Sequence, residues 1–216
     1  MAAELNLSLD RYVEVVLAAQ QRGLPVKLGL EVDFEPGTEQ QVIDLLAGYP
    51  FDFLIGSVHW LGAWDYVRAG APAEFGRRGV DRAWREYFAL ERDLAASGIV
   101  DVLAHADAIK SLGFRPTDRL ADLYAPVVDA AVASGTAVEV SSAGLRRPSE
   151  EVFPGPDFLC MAFEAGLPIT LASDAHVPEL AGWGRTEVAT AARAAGYRGY
   201  LRFEHRRRVV TPLAPA

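Results

Sequence analysis

The sequence predicts an α/β fold built on a mainly parallel sheet, in the form of an incomplete or distorted barrel. Three observations predict it. Strand-like apolar runs alternate with helix-period segments along most of the 216 residues, the pattern of βαβ units. Glu31, His59, His105 and His176 stand at the ends of four such runs, in Leu-Gly-Leu-Glu, Gly-Ser-Val-His, Leu-Ala-His and Ser-Asp-Ala-His. In a parallel barrel all C-terminal strand ends open on one mouth, so residues far apart in sequence meet there. A doubly wound open sheet gathers its function at one switch point, and ligands from four separate strand ends favour the barrel.

Each element has its own signal. Residues 8–21 read as a helix, capped by Ser8, with Tyr12, Val15, Val16 and Ala19 on one face. A strand follows over 26–32, and Pro36-Gly37 breaks the chain. Residues 38–47 form a second helix with Val42, Leu45 and Leu46 inward and Gly48 as its stop. Residues 53–58 are the next strand. Residues 60–79, which include Trp64, Tyr66 and Arg77, lack a period, and a loop of that length commonly shapes a binding site; the loop as a whole is expected to influence substrate choice, with no single residue assigned. The alternation resumes with a helix over 81–97, burying Trp84, Tyr87, Phe88 and Leu94 and ending at Gly98. Then come a strand over 99–104, a helix over 118–134 containing Pro126, and a strand over 136–141. A helix over 157–165, a strand over 168–173, a helix over 185–195 and a strand over 200–203 complete the chain. Six strands are too few for a closed eight-stranded barrel, and no linker or repeat divides residues 1–216, so a single domain is expected.

Composition narrows the function. Half of the residues are hydrophobic, enough for a sizeable core. A net charge of −8 without basic clusters argues against nucleic-acid or membrane-surface binding, since no counterion release would hold a polyanion. The run Arg206-Arg207-Arg208 reads as a solvated surface feature, and His205 beside it as exposed. Cys160, the single cysteine, excludes an internal disulfide and is expected as a small buried hydrophobe in a cytoplasmic protein. No segment is long and apolar enough to span a membrane.

The chemistry rests on the strand ends. Asp174 and His176, two apart in an extended segment, point the same way and can reach one metal cluster. Imidazole and carboxylate donors together suit divalent zinc, manganese or iron. Singly, each has an ordinary alternative: His105 bonded to a backbone carbonyl, His59 packed on Trp60, Glu31 paired with Lys27 or Lys110. Their joint placement favours a metal centre. In Glu-Val-Ser-Ser-Ala-Gly-Leu-Arg-Arg-Pro, the residues Ser141, Ser142, Arg146 and Arg147 follow a strand end, where hydroxyls, amides and a guanidinium could hold a phosphate; Lys110 is a further candidate.

The ordered motifs Gly-Leu-Glu-Val-Asp-Phe, Gly-Ser-Val-His, Leu-Ala-His-Ala-Asp, Glu-Val-Ser-Ser-Ala-Gly-Leu-Arg-Arg-Pro and Ser-Asp-Ala-His resemble those of histidinol-phosphatases. These belong to the polymerase and histidinol phosphatase (PHP) superfamily of metal-dependent phosphoesterases. The resemblance runs from about Leu28 to the C-terminus. It implies a distorted (β/α)7 barrel with two or three metal ions, and hydrolysis of L-histidinol phosphate in histidine biosynthesis. It makes Glu31 a bridging carboxylate and His59, His105, Asp174 and His176 metal ligands. Asp174 and His176 are also candidates for assisting proton transfer, while Arg146, Ser142 and Lys110 would bind substrate.

One departure accompanies the match. The family opens with a strand ending in His-X-His, and the first histidine here is His59. The chain is therefore expected to begin about two βα units late, at roughly 30 residues each, leaving a barrel incomplete at its N-terminus and a site with fewer ions. Two other readings follow: a phosphoesterase acting on another small phosphate ester or nucleotide, and an inactive, truncated metal-binding relative. A small phosphorylated substrate is the expected partner, and the oligomeric state is open.

Overall fold

The computed structural model describes residues 8–67 and 71–214. Five strands form one parallel sheet: β1 (Gly29–Asp33), β2 (Phe53–Ser57), β5 (Val102–Leu103), β6 (Ala137–Ser141) and β7 (Ile169–Ala172). They lie side by side in chain order, and every pairing is parallel. Helix α1 (Leu9–Gln21) precedes them, α2 (Glu39–Leu46), α3 (Ala71–Arg78), α4 (Val80–Ser97), α5 (Leu120–Ser134) and α6 (Pro156–Glu164) lie in the connections, and α7 (Arg185–Ala195) follows the last.

Local chemistry explains the helix limits. The Ser8 hydroxyl caps α1 by accepting from the Arg11 amide at 3.2 Å, satisfying one of the donors left open at a helix start. Helix α4 stops at Gly98, which takes the left-handed conformation that lets the chain turn into β5. Trp84, Tyr87, Phe88, Leu94 and Ala95 of α4 are buried, as their helical spacing requires. That packing depends on Gly56 of β2, where a Cβ would come within 2.8 Å of the Leu94 side chain. Val13, not Val15, is the buried residue of α1, and Leu46, not Leu45, that of α2.

Each strand divides its side chains between two layers. Leu54 and Leu103 join the principal core with α4 and α5, while Phe53, Ile55, Val102 and Ala137 point the other way. Leu201 and Phe203 cover that second face. Both belong to β8 (Gly199–Glu204), which pairs antiparallel with β9 (Arg207–Pro212) instead of extending the parallel sheet as the sixth strand. The barrel is thus not closed: β1 and β7 each have one parallel neighbour. A cleft of about 1140 Å³ runs past Gly29, Leu30 and Glu31 on one edge, Thr170 and Leu171 on the other, and Tyr200 of the hairpin.

Residues 60–79 depart from the loop expectation. They contain a small hairpin, β3 (Trp60–Leu61) with β4 (Trp64–Asp65), and helix α3; positions 68–70 lie outside the described residues. Trp64 and Tyr66 are core residues, with Trp64 edge-on to Phe75 at 4.8 Å. Arg77 is exposed and pairs with Glu74, so none of the three faces a site. Cys160 is exposed, because α6 buries Phe158, Leu159 and Ala162 on its opposite side.

Candidate metal centre

Glu31 points from β1 toward the C-terminal end of the sheet. His59 follows β2 by two residues, and His105 follows β5 by two, its φ of 27° turning the chain sharply at the strand end. The three meet at one mouth. Glu31 Oε1 lies 3.4 Å from His105 Nε2 and 3.8 Å from His59 Nε2, and the imidazole centroids are 5.2 Å apart. One donor atom from each residue falls within 4.8 Å of the others, a spacing that one divalent cation can bridge.

The surroundings orient these donors. His59 Nδ1 sits 3.0 Å from Asp33 Oδ1 and 3.4 Å from Ser57 Oγ, which leaves Nε2 facing Glu31. The His105 amide donates to Glu139 Oε2 at 3.1 Å from the neighbouring strand. Burial alone would raise the Glu31 carboxyl, but the hydrogen bond and charge of His105 and the charge of His59 hold it at about 2. Burial opposes charge on His105, yet Glu31, Glu139 and Asp174 together push it up to about 9. Glu139 rises to about 7, chiefly by burial and partly offset by His105. The carboxylates around His105 thus favour a proton on it, and the same acidic surroundings suit a divalent cation.

Asp174 and His176 are near this cluster without belonging to its closest three. Both line the same mouth, a cavity of about 250 Å³. Asp174 also lines the open cleft and has a φ of 48° just beyond β7. His176 is 80% exposed, and its Nδ1 turns back to the Asp174 carbonyl at 3.2 Å and carboxylate at 3.4 Å.

The three expected phosphate contacts face inward. Lys110, 2% exposed, is paired with Asp107 at 2.7 Å and Glu151 at 3.0 Å, so its ammonium is committed within the fold. The Ser142 hydroxyl donates to the Trp183 carbonyl at 2.6 Å. Arg146 donates to the carbonyls of Ser173 and Asp174 at 2.9 and 3.2 Å and lies 5.0 Å from the Trp183 ring. Ser142 and Arg146 thus fix the segment that carries Asp174 and His176. Arg147 is exposed and lines the mouth, with Trp60, Asp33, Asp65 and Ser111. Lys27 pairs with Glu204, leaving Glu31 to the imidazoles.

The sequence reading missed Asp33 and Glu139. Asp33 shares a strand face with Glu31 two residues away. Glu139 is an acid in the middle of a wholly buried strand, a placement that requires partners.

A parallel α/β sheet with imidazoles and a carboxylate gathered at one mouth offers the donor set of an α/β metal-binding protein. The PHP domain model matches residues 6–143, and the chain belongs to that family. It is 37% identical over 202 residues to "Probable histidinol-phosphatase" of Deinococcus radiodurans, covering 92% of this chain and 76% of that protein. A crystal structure of histidinol phosphate phosphatase from Lactococcus lactis, complexed with zinc, L-histidinol and phosphate, superposes with a TM-score of 0.80. The identity there is 22%, over 94% of this chain and 80% of that one, and the likeness is one of fold. A Listeria monocytogenes structure gives a TM-score of 0.70 at 19% identity, over 83% of this chain and 75% of that one. Among the described residues no helix is long and apolar enough to cross a membrane.

Proposed function

We propose that this protein is a metal-dependent phosphomonoester hydrolase that converts L-histidinol phosphate and water to L-histidinol and phosphate. The observation that carries the reading is the convergence of Glu31, His59 and His105 at one mouth, in a chain 37% identical to a named histidinol-phosphatase. The donor set fits zinc, manganese or iron: one carboxylate and two imidazoles, with Asp174 and His176 beside them. A bound divalent cation supplies an activated water and offsets phosphate charge. Glu31, His59 and His105 would hold it, with Asp33 aiming the His59 imidazole and Glu139 fixing the His105 backbone.

The remaining residues suit the substrate. The Arg147 guanidinium at the mouth can pair with phosphate oxygens that project outward. Asp33 and Asp65 give the same mouth an acidic rim that favours an ester bearing an amine or imidazole over a purely anionic one. Trp60, half-exposed at the lip, offers an aromatic face for a ring. Asp174, partly buried, and His176, exposed, line the same mouth and form an acid–base pair that could take up or deliver a proton.

The test is phosphate release from a panel of monoesters by protein stripped with chelator and reloaded with zinc, manganese or iron. Metal-dependent turnover with preference for L-histidinol phosphate, lost in Glu31→Ala, is expected. A preference for nucleotides would move the substrate to the second phosphoesterase class. No turnover with any metal would leave a metal-binding protein without this activity.

A further inference from the structure

Behind the metal centre lies a buried polar group that the proposed chemistry does not use. Glu91 of α4 is fully buried, and among the described residues neither carboxyl oxygen has a hydrogen bond of good geometry. Nothing in the apolar face of α4 explains it. The helix buries Trp84, Tyr87, Phe88 and Leu94, and an acid at the next inward position costs stability unless it serves a partner.

Two observations point to that partner. The Tyr87 hydroxyl is within hydrogen-bond reach of Glu91 and donates toward the His105 carbonyl at 3.5 Å. His105 itself has one ring nitrogen facing Glu31, and the other, Nδ1, is buried without a partner. An imidazole that ligates through one nitrogen needs its other N–H bonded to a carboxylate, carbonyl or water, or its ring orientation is unset. Glu139 does not do this; it takes the His105 backbone amide.

We propose that Glu91 is a positioning residue of the metal centre. Through Tyr87 it braces the His105 backbone carbonyl, and directly or by one water to Nδ1 it anchors the inner edge of the ring, so that Nε2 stays turned toward Glu31. This rests on the reading of Glu31, His59 and His105 as the metal site, and it adds a residue from the helical layer to that site.

Zinc affinity of the metal-free protein, by competition with a fluorescent chelator, tests it alongside thermal unfolding of the same metal-free samples. Glu91→Leu is expected to weaken zinc binding about 10- to 100-fold. Its metal-free unfolding temperature should be no lower than that of the wild type, since an unpaired buried acid has been removed. Glu91→Gln keeps an oxygen acceptor and is expected to recover most of the affinity. Tyr87→Phe keeps the ring, loses the link, and is expected to bind zinc several-fold more weakly. Wild-type zinc affinity in folded Glu91→Leu would overturn the inference; should that variant not fold, wild-type affinity in Tyr87→Phe would do so. A wild-type protein that binds no zinc would instead overturn the metal-site reading beneath it.

Discussion

Replacing Asp33 by alanine should separate metal binding from folding. The carboxylate meets His59 Nδ1 at 3.0 Å, while its side chain is 50% exposed and that of His59 26% exposed. A pair so open to water contributes at most about 1 kcal/mol to folding. Its effect on the metal is larger, because it fixes which histidine nitrogen carries the proton and keeps Nε2, 3.8 Å from Glu31, free to coordinate. Loss of such a partner lowers affinity about 10- to 100-fold, or about 1.4 to 2.7 kcal/mol. Asp33→Asn, whose amide oxygen still accepts from Nδ1, should fall between the wild type and Asp33→Ala. Chelator competition gives the affinities and urea unfolding of metal-free protein gives the stabilities. Asp33→Ala with unchanged zinc affinity, or with a folding loss as large as its binding loss, would refute the reasoning.

Three further outcomes are expected. Arg147→Ala should raise KM for a phosphomonoester with a smaller change in kcat, since the guanidinium lines the mouth outside the donor cluster; steady-state kinetics checks it. Leu94→Ala should cost about 2 to 5 kcal/mol, because Leu94 is fully buried against β2; denaturant unfolding reads it. The third concerns pH. Burial pushes Glu91 up from 4.5 to about 8, so between those values the folded state holds a proton that the unfolded chain has released. Stability from this group is therefore full below about 4.5 and declines as pH rises toward 8. At about 1.36 kcal/mol per pH unit the ceiling is on the order of 5 kcal/mol, and Glu91→Leu should remove that slope from the wild-type stability–pH curve.

Much of the fold was legible because burial and period agree. Helix α7 spans Arg185–Ala195 in structure as in sequence, with glycines in the left-handed conformation at both ends. All five parallel strands were recognised because each buries residues on one or both faces. Strand β9 was not, since its residues are almost all exposed and carry no alternation; its partner is β8, which the sequence assigned to the parallel set. In the site, Glu31, His59 and His105 were readable because strand direction alone aims them at one mouth. Lys110, Ser142 and Arg146 sit on or next to short 3-10 turns, where spacing does not say which side faces in, and all three satisfy partners within the fold. Glu91 was hidden by the same helical period that identified α4, because it occupies an inward position among apolar neighbours.

The most direct test of the metal centre is anomalous diffraction at the zinc edge from crystals of the wild-type protein grown with zinc. The predicted result is an ion at the C-terminal mouth of the sheet, about 2.0 to 2.2 Å from a Glu31 oxygen and from Nε2 of both His59 and His105. An anomalous peak elsewhere, with those three side chains left uncoordinated, would contradict the account.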